Sequence, residues 1–442
     1  MGRLAVLIVL LSAGLLSAFI VVPPVRGDFS IARWSAEGSG FVAAVGIDDA
    51  PRNITLFTEE GFNLWMKKNP GTAVYNGVLR RGDVLIIETP PGRYVLAVYP
   101  LPFPRGKTQT YASSYSGWAP VGVMSLPREP TAFGAAAGYF EVKSIRARSD
   151  GKVKDGVSIQ LNAIVVLELA DGARQYYFVQ NVLDLYTDAR KYRFVAAVFN
   201  HTMSGGFTGL VKGSGRLYWH VSAPSYYAYA TREERYSLPL AGFLLINVTA
   251  VGGVARIDLG YNVGSGVVWY DSVAIKPYAP AEGAYILAGP AVTSSRPPNV
   301  PITPFSTPVG TIASLELVLC GLDADSPRAE LEDVDVRLAL LVWGGGRWRP
   351  APRVFNFGFN TAEVVSLNVE TRLVNGTVHI TRGAFRPMLL AEEPPEPDIP
   401  PPNAAPKPQT DSWILVAVAV LIVLLFLGVY KAGSALIDRL SR

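Results

Sequence analysis

The length and composition of the chain exclude several classes of protein. It has 442 residues, of which 49% are hydrophobic and only 17% charged, and its net charge is +4. That length allows two domains with sizeable cores, and the scattered Lys and Arg residues form no basic patch for nucleic acid. With one cysteine and three histidines, the chain cannot form an intramolecular disulfide and lacks the usual ligands of zinc, so we expect no metal and no cofactor.

The N-terminal segment "MGRLAVLIVLLSAGLLSAFIVVPP" has the pattern of an export signal. Arg3 precedes a long apolar run from Leu4 to Val22. We predict a signal peptide over residues 1–27, cleaved between about Ala18 and Gly27. Because the apolar run is long for a signal, an uncleaved membrane anchor stays open as the alternative.

A small β-sandwich module is predicted over residues 28–105. Short apolar or alternating runs such as "FVAAVGI", "NITLFT" and "GRYVLAVYP" are separated by turn residues, which is typical of packed antiparallel strands. The stretch "TEEGFNLWMKK" differs, since Thr58 can cap a helix in which Phe62, Leu64 and Trp65 have helical spacing. We therefore expect one helix in this module.

Strand patterns continue through a larger domain at residues 106–390. Runs such as "VSIQLNAIVVLELA", "RQYYFVQNVLDLYT" and "VRLALLVWGGGRW" do not alternate with helices, which favours packed antiparallel sheets. The predicted fold is therefore all-β, an antiparallel β-sandwich domain preceded by the smaller sandwich. A Pro-rich loop at residues 296–310 has the length of loops that often form lids or cleft borders.

The C-terminal region has the pattern of a membrane anchor. A Pro-rich stalk over residues 391–411 leads to a transmembrane helix at 412–431, and residues 432–442 form a short tail. The uncharged run from Trp413 to Tyr430 makes roughly 27 Å of helix and has aromatic residues at both edges. We therefore expect membrane lipid as a partner of this segment.

Charge on the two sides of this helix predicts the topology. The tail is basic and the stalk begins with "EEPPEP", so the positive-inside rule places the tail in the cytoplasm and residues of about 28–410 outside. The prediction is a single-pass protein of the cell membrane. Four N-glycosylation sequons, at Asn53, Asn200, Asn247 and Asn375, agree with an outside location and predict a glycoprotein.

Common catalytic and metal-binding motifs are missing from the sequence. It has no G-x-S-x-G, no H-E-x-x-H, no P-loop lysine motif and no Asp-Thr/Ser-Gly triplet. The acidic cluster "GLDADSPRAELEDVDV", at residues 321–336, has two interpretations. Asp323 and Asp325 with Glu330 or Glu332 could hold Ca²⁺, but the glycine and third acidic residue of a full loop are missing. We favour a solvated turn.

Carboxylates embedded in apolar strands are the remaining candidates for chemistry. They are Asp258 in "ARIDLGY", Asp271 in "VVWYDSVAI", Glu316 in "SLELVLC" and Glu363 in "NFGFNTAEVVSLNV". On one interpretation, each of them faces solvent from a half-exposed strand. Alternatively, two of them meet in a cleft, where one serves as base and the other as acid. The stretch around Glu363 reads as one strand with two apolar faces, which predicts a proton-sharing pair or a buried backbone or tyrosine donor for that side chain.

The larger domain resembles the thermopsin family, acid peptidases of archaea. The matching stretches occur in the family's order over about residues 118–385: "AAAGYFEVKSI", "VSIQLNAIVVLEL", "YYFVQNVLDL", "YSLPLAGFLLINV", "DLGYNV", "WYDSVAI", "LELVLCG" and "FNFGFNTAEVVSLNV". The resemblance implies a peptidase-like domain and an exported endopeptidase that works without metal, at low pH, on proteins or peptides. It also extends to family members with a C-terminal membrane anchor.

The resemblance carries over to individual positions. Asp271 matches the family's Tyr-Asp-Thr/Ser segment, Glu316 the Glu-Leu-Val segment and Glu363 the Thr-x-Glu segment. These three are the candidate catalytic residues, from which a pair would activate water. Gln160 and Gln180 match two further segments and could stabilise an oxyanion, although cross-strand hydrogen bonding is the interpretation that we favour for both.

One departure from the family pattern opens a second hypothesis. Where the family tends to have Pro-x-Gly-Ile-x-Asp-Tyr-Gly, this chain has "PVGVMSLP", with Ser125 at the aspartate position. If that aspartate belongs to a catalytic pair, the protein is an inactive relative. The two hypotheses are therefore an anchored acid endopeptidase of aspartic type and a non-catalytic surface protein for adhesion, envelope structure or peptide binding.

Overall fold

The computed structural model describes residues 8–9, 19–22, 30–47, 49, 51–67, 73–100, 110–150, 154–202, 211–220, 223–264, 266–293, 311–322, 326–400 and 402. Within them the chain is mostly β-strand, which confirms the all-β prediction. No helix in these residues is long and apolar enough to cross a membrane. The predicted transmembrane helix, the cytoplasmic tail, the Pro-rich loop and residues 401 and 403–411 of the stalk lie outside them.

The N-terminal part forms a first sandwich of two sheets. Its strands are β1 (Ile8–Val9), β2 (Phe19–Val22), β3 (Ser30–Ala36), β4 (Gly40–Gly46), β5 (Arg52–Thr58), β6 (Ala73–Leu79), β7 (Val84–Thr89), β8 (Gly92–Pro100) and β9 (Thr110–Ser116), with helix α1 at Glu59–Met66. One sheet has the order β1-β3-β8-β5-β6 and the other β2-β9-β4-β7. Trp34, Leu56 and Leu96 are among the apolar residues packed between them.

Two features of this sandwich bear on the predicted boundaries. Strands β1 and β2 fall within the segment predicted to be a signal peptide, and cleavage of that segment stays a prediction. Strand β9 pairs with β4 along its length, so the sandwich extends to Ser116, beyond the predicted boundary at residue 105. The polar composition of β9, "TYASSYS", is what makes it look like a linker in the sequence.

The predicted helix is present and begins where the capping pattern places it. The hydroxyl of Thr58 accepts a hydrogen bond from the backbone N–H of Gly61 at 3.0 Å, which satisfies one of the free donors of the first turn. Phe62 and Trp65 pack against Phe57 and Val95 on the sheet. Leu64 is exposed, so the apolar face is narrower than its spacing predicts.

The remaining strands form a large sandwich of two wide sheets. They are β10 (Trp118–Ala119), β11 (Val121–Ser125), β12 (Thr131–Phe133), β13 (Ala135–Ser149), β14 (Gly156–Leu169), β15 (Arg174–Tyr186), β16 (Lys191–Asn200), β17 (Val211–Lys212), β18 (Arg216–His220), β19 (Ala223–Ala230), β20 (Glu234–Arg235), β21 (Leu240–Val251), β22 (Val254–Asn262), β23 (Val268–Ile275), β24 (Ala281–Ala288), β25 (Leu315–Cys320), β26 (Arg328–Gly344), β27 (Arg347–Pro350), β28 (Val354–Phe357), β29 (Val364–Ser366), β30 (Val369–Val374), β31 (Thr377–Arg382) and β32 (Leu389–Ala391).

Sheet I and sheet II, as we name them, enclose one large apolar core. Sheet I has the order β10-β29-β26-β13-β21-β22-β23-β17, and sheet II the order β18-β19-β16-β15-β14-β25-β11-β28-β32. Neighbours in these orders are antiparallel except β26 and β29, which are parallel. The sheets meet closely at Gly138 of β13, where an added Cβ would lie 2.5 Å from Leu317 of β25. A larger residue here would require the Leu317 side chain to move.

The first sandwich packs against the outer face of sheet II. Phe41 and Tyr115 of the first sandwich share an apolar cluster with Phe355, Phe357 and Phe359 of the large sandwich, and we name this contact the aromatic interface. All five side chains are buried. The two sandwiches are therefore joined by a core of their own and not only by a linker.

The segment from residue 356 to 369 is not the single strand that the sequence predicts. Strand β28 ends at Phe357 and β29 begins at Val364, and residues 358–363 form a turn between them. The chain leaves the sheet here because the N–H groups of Phe359 and Asn360 bind a carboxylate instead of a neighbouring strand. We name Gly358–Asn360 the carboxylate turn.

Candidate active site

Glu316 lies in the middle of sheet II with its side chain on the outer face. It belongs to β25, between β14 and β11, where its register partners are Asn162 and Met124. Successive side chains of a strand point to opposite faces, and Leu315 and Leu317 occupy the core between the sheets. The alternation of "LELVLC" therefore places the carboxylate on the side covered by the carboxylate turn.

The carboxyl group of Glu316 is fully enclosed, at 0% exposure, and hydrogen-bonded. The Ser314 hydroxyl donates to Oε1 at 2.5 Å, the Phe359 N–H donates to Oε1 at 2.7 Å, and the Asn360 N–H lies 3.1 Å from Oε2. Burial raises the pKa of Glu316 to about 7, against the smaller lowering effect of these bonds. In acid the group therefore carries its proton and can donate it.

The side chain of Asn360 brings an unpaired acceptor to the same place. Its Nδ2 donates to the Ile312 carbonyl at 2.9 Å and to the Ser314 hydroxyl at 2.7 Å. The reverse amide orientation would set Oδ1 against the Ile312 carbonyl, so this orientation is required. Oδ1 is buried without a hydrogen-bond partner among the described residues. Such a group favours a ligand that donates a hydrogen bond.

A row of polar side chains continues from Glu316 across the buried outer face of sheet II. Gln180 Nε2 on β15 donates to Gln160 Oε1 at 3.0 Å and to Asn162 Oδ1 at 3.3 Å. Gln160 in turn donates to Ser158 at 3.1 Å. Both glutamines are therefore cross-strand hydrogen-bonding residues, as we favoured from the sequence.

Asp271 lies in a different part of the molecule. It is on β23 of sheet I, aligned with the core residue Leu259. The Tyr227 hydroxyl of sheet II donates to its Oδ2 at 2.7 Å, and the Ser214 N–H donates to Oδ1 at 2.9 Å. Burial, with the hydrogen bond to Asp271, raises the pKa of Tyr227. This pair is a polar bond between the two sheets.

Asp258 is buried near Asp271 but faces the opposite side of sheet I. It accepts a hydrogen bond from the Ser272 hydroxyl at 2.5 Å and from Asn247 Nδ2 at 3.2 Å. Asn247 is 1% exposed, so the native fold leaves no space for a glycan on its amide nitrogen. The sequon at Asn247 is therefore not a glycosylation site of the native fold.

Glu363 has neither of the partners that the sequence predicts. It is half-buried at the end of the turn before β29, and its Oε2 accepts a hydrogen bond from the Thr361 hydroxyl. Its own N–H bonds back to the same hydroxyl at 3.2 Å. The local turn supplies this partner, and among the described residues no tyrosine hydroxyl or strand backbone N–H donates to the carboxylate.

The structure does not bring the three predicted residues into one hydrogen-bonded group. Asp271 belongs to sheet I, Glu316 to sheet II and Glu363 to the turn before β29, and in the described part of the chain no hydrogen bond joins any two of them. Asn360 is the site residue that sequence reasoning missed. The signal was available, since Asn360 is a polar residue within the same apolar stretch as Glu363.

Ser125 is buried and lies on the opposite face of β11 from Glu316. Its hydroxyl donates to the Pro352 carbonyl at 2.5 Å, and Met124 is the β11 residue aligned with Glu316. An aspartate at position 125 would therefore face away from Glu316. The serine does not remove a partner of that carboxylate.

The acidic cluster at residues 321–336 is not a solvated turn throughout, because it continues into strand β26 from Arg328. Glu332 forms ion pairs with Arg146 and Arg148 at 2.9 and 2.8 Å. Within the described residues no group of three His, Cys, Asp or Glu side chains could hold a metal ion. Asp323 and Asp325 lie outside those residues.

Comparison with known proteins agrees with the resemblance stated above. The family model described as Thermopsin matches residues 107–369. The chain belongs to the thermopsin family. Thermopsins are acid peptidases, so the large sandwich with Glu316 and the carboxylate turn is a peptidase-family domain. No curated protein matches the chain.

Among solved structures, a GH2 β-galacturonidase from Eisenbergiella tayi, bound to galacturonate, is similar to this thermopsin-family chain. The alignment covers 56% of this chain and 34% of the galacturonidase chain. The identity is 10% and the TM-score 0.15. The chain thus spans about a third of that enzyme, and the likeness carries no argument about fold or function.

Proposed function

We propose that this thermopsin-family protein is a cell-surface, membrane-anchored acid endopeptidase that cleaves proteins or peptides. The observation that carries the proposal is the family match over residues 107–369, which includes Asp271, Glu316 and Glu363. The export signal and C-terminal anchor predicted from the sequence support the location, and they are part of the proposal.

Glu316 is the residue to which we assign the acid role. Its raised pKa, about 7, keeps it protonated at acidic pH, so it can protonate the departing amide nitrogen as the C–N bond breaks. A water that donates a hydrogen bond to Asn360 Oδ1 would be held beside it, and Asn360 Oδ1 has no partner among the described residues. We assign Glu363, which is half-buried and close to Asn360 in the sequence, as the base that takes a proton from that water while the water oxygen bonds to the carbonyl carbon of the substrate.

A non-catalytic surface protein is the second candidate function, and two observations favour it. Glu316 is 0% exposed, whereas a catalytic acid must reach its substrate. In the described residues no hydrogen bond joins Glu316 to Glu363 or to Asp271. On this hypothesis the buried carboxyl group stabilises the turn and the fold is used for binding.

Proteolysis by the full-length chain in detergent, on a denatured protein substrate from acidic to neutral pH, tests the proposal. We expect cleavage that is greatest in acid and that falls at least about 100-fold in Glu316→Gln and in Glu363→Gln. The variant Asp271→Asn tests whether Asp271, which bonds the two sheets together, also takes part in the reaction. The matched control is Glu168→Gln. Glu168 lies away from the site, and its carboxylate forms an ion pair with Arg174 at a distance of 2.9 Å.

Two results would overturn the enzyme. One is the absence of cleavage at every pH by a folded sample, and the other is wild-type turnover by both glutamate variants. Either result would favour the non-catalytic hypothesis.

A further inference from the structure

A tyrosine of the first sandwich reaches the candidate active site of the large sandwich. Tyr115 lies on β9, paired in register with Phe41 of β4, and is 1% exposed. Its hydroxyl donates a hydrogen bond to the carbonyl oxygen of Gly358 at 2.6 Å. The bond joins residues 243 positions apart in the sequence.

Gly358 is the first residue of the carboxylate turn, and it lies directly against Glu316. A Cβ at this position would be 2.8 Å from Glu316 Oε2. The next two residues, Phe359 and Asn360, supply the N–H groups that bind the carboxyl group. The bond from Tyr115 therefore fixes the peptide unit immediately before these donors.

Aromatic packing keeps Tyr115 in place. Its ring lies 4.6 Å from that of Phe41, which lies 5.2 Å from Phe357. Phe357 is in turn 5.4 Å from Phe359, edge to face. Rings held in this way have little freedom to follow the turn if it moves, so the hydroxyl acts as a fixed donor.

We propose that Tyr115 is a positioning residue for Glu316, holding the carboxylate turn so that its N–H groups point at the carboxyl group. The candidate active site is then completed by the first sandwich. The effect of Tyr115 on catalysis rests on the proposed function. Its effect on the pKa of Glu316 rests on the contacts alone.

The direction of the effect on Glu316 follows from its surroundings. Bonds from Ser314, Phe359 and Asn360, and a further one from Asn162, lower the pKa of Glu316 and so favour its charged form. While Glu316 stays buried, a looser turn lengthens the two backbone bonds, so the pKa of Glu316 rises.

The other titratable groups that face Glu316 do not change this direction. Tyr115 on β9 and Cys320 on β25 interact with it electrostatically, and burial raises the pKa of each. Both therefore stay neutral over the acidic and neutral range.

The test compares Tyr115→Phe with Tyr94→Phe in the full-length protein. Tyr94 is the matched control, because it is buried in the same sandwich and donates to the Pro90 carbonyl at 2.8 Å. Infrared spectroscopy follows the protonated carboxyl band across pH, and subtraction of the Glu316→Gln spectrum assigns the Glu316 part. We expect the midpoint of the Glu316 titration to rise by roughly 0.5–1 pH unit in Tyr115→Phe and to remain unchanged in Tyr94→Phe.

An unchanged midpoint in a folded Tyr115→Phe protein would overturn the proposal, since a purely structural tyrosine affects stability alone. If that variant does not fold, Phe41→Leu keeps the hydroxyl and loosens its support, and a smaller upward shift is expected. No shift there would also overturn it.

The activity assay separates this proposal from the proposed function. If the wild type is active, Tyr115→Phe should lower kcat and leave KM unchanged. The decrease of activity on the high-pH side of its pH–rate profile should move to higher pH. An inactive wild type with a shifted Glu316 midpoint would refute the peptidase and leave the positioning role in place. If the wild type is active and both tyrosine variants have its pH–rate profile and its Glu316 midpoint, the peptidase is supported and the positioning role of Tyr115 is refuted.

Discussion

Two opposed effects set the protonation of Glu316. Removal from water penalises the charged form, and hydrogen bonds from Ser314 and the carboxylate turn favour it. Burial is the larger effect, so the group is a neutral acid over much of the pH range in which exposed carboxylates are ionised. A side chain of this kind is suited to proton donation, and it also links protein stability to pH.

We predict that the protein loses stability as pH rises from about 4.5 to about 7. Glu316 has an ordinary pKa of 4.5 when unfolded and about 7 when folded, so in this window the folded state binds more protons than the unfolded state. The contribution of Glu316 to the free energy of unfolding is therefore fully present below this window and decreases by a few kcal/mol across it.

Chemical unfolding at a series of pH values, in wild type and Glu316→Gln, checks this prediction. The variant cannot titrate at this position, so its stability should change less across the window. Equal slopes in the two proteins would contradict a raised pKa at Glu316.

The sequence identifies Glu316 as a candidate but not its environment. A glutamate between leucines in "SLELVLC" is visible as a buried carboxylate. Its N–H donors, however, come from Phe359 and Asn360, 43 and 44 residues further along the chain. Asp271 shows the same limit, because Tyr227 donates to it from the other sheet. Contacts between distant strands leave no periodic signal in either strand.

At the level of elements, the carboxylate turn has the largest effect on the site. The apolar residues of "VFNFGFNTAEVVS" on both sides of the turn hide it, because period-2 alternation persists through Phe355, Phe357 and Phe359. Gly358 is the local signal, since a glycine within a strand pattern often marks a close backbone approach. Here the neighbour that it approaches is the Glu316 carboxyl group.

Gly358→Ala should disrupt the site. The added methyl group would lie 2.8 Å from Glu316 Oε2 and 2.9 Å from Val318 Cγ1, so either the turn or the buried Glu316 carboxyl group must shift and their hydrogen bonds are strained. We expect a loss of stability of about 1–3 kcal/mol and, for an active enzyme, a large fall in kcat.

Thermal unfolding and turnover are the measurements, with Gly134→Ala as control. Nothing lies within 4 Å of a Cβ at Gly134, so that variant should behave like the wild type. A Gly358→Ala protein with normal stability and turnover would show that the turn is not held against Glu316.

At the scale of the whole molecule, the two sandwiches are joined mainly by the aromatic interface. Ion pairs at the edge of their contact, such as Arg81 with Glu129 at 3.8 Å, include an exposed carboxylate, and such pairs contribute little. The aromatic interface buries Phe41 and Tyr115 almost completely, and burial of such rings contributes far more. The sequence predicts two modules, and it does not predict that they share a core.

A chain without residues 1–116 should therefore misfold or aggregate. It would expose Phe355, Phe357 and Phe359 on the outer face of sheet II, a patch that soluble proteins rarely leave uncovered. Sedimentation and binding of an apolar dye measure this. The control, Glu129→Gln, removes an ion pair at the same contact and should change stability by less than about 1 kcal/mol. A monomeric, dye-free truncated protein would contradict the shared core.

Cys320 gives the protein a built-in reporter of motion. It is the single cysteine of the chain, fully buried on the same strand face as Glu316, and burial raises the pKa of its thiol. A thiol reagent can therefore react only when the outer face of sheet II opens to solvent. Any peptide that reaches Glu316 depends on a similar opening. The rate of thiol modification would thus time how often this enclosed face becomes accessible, in the native protein and without any added label.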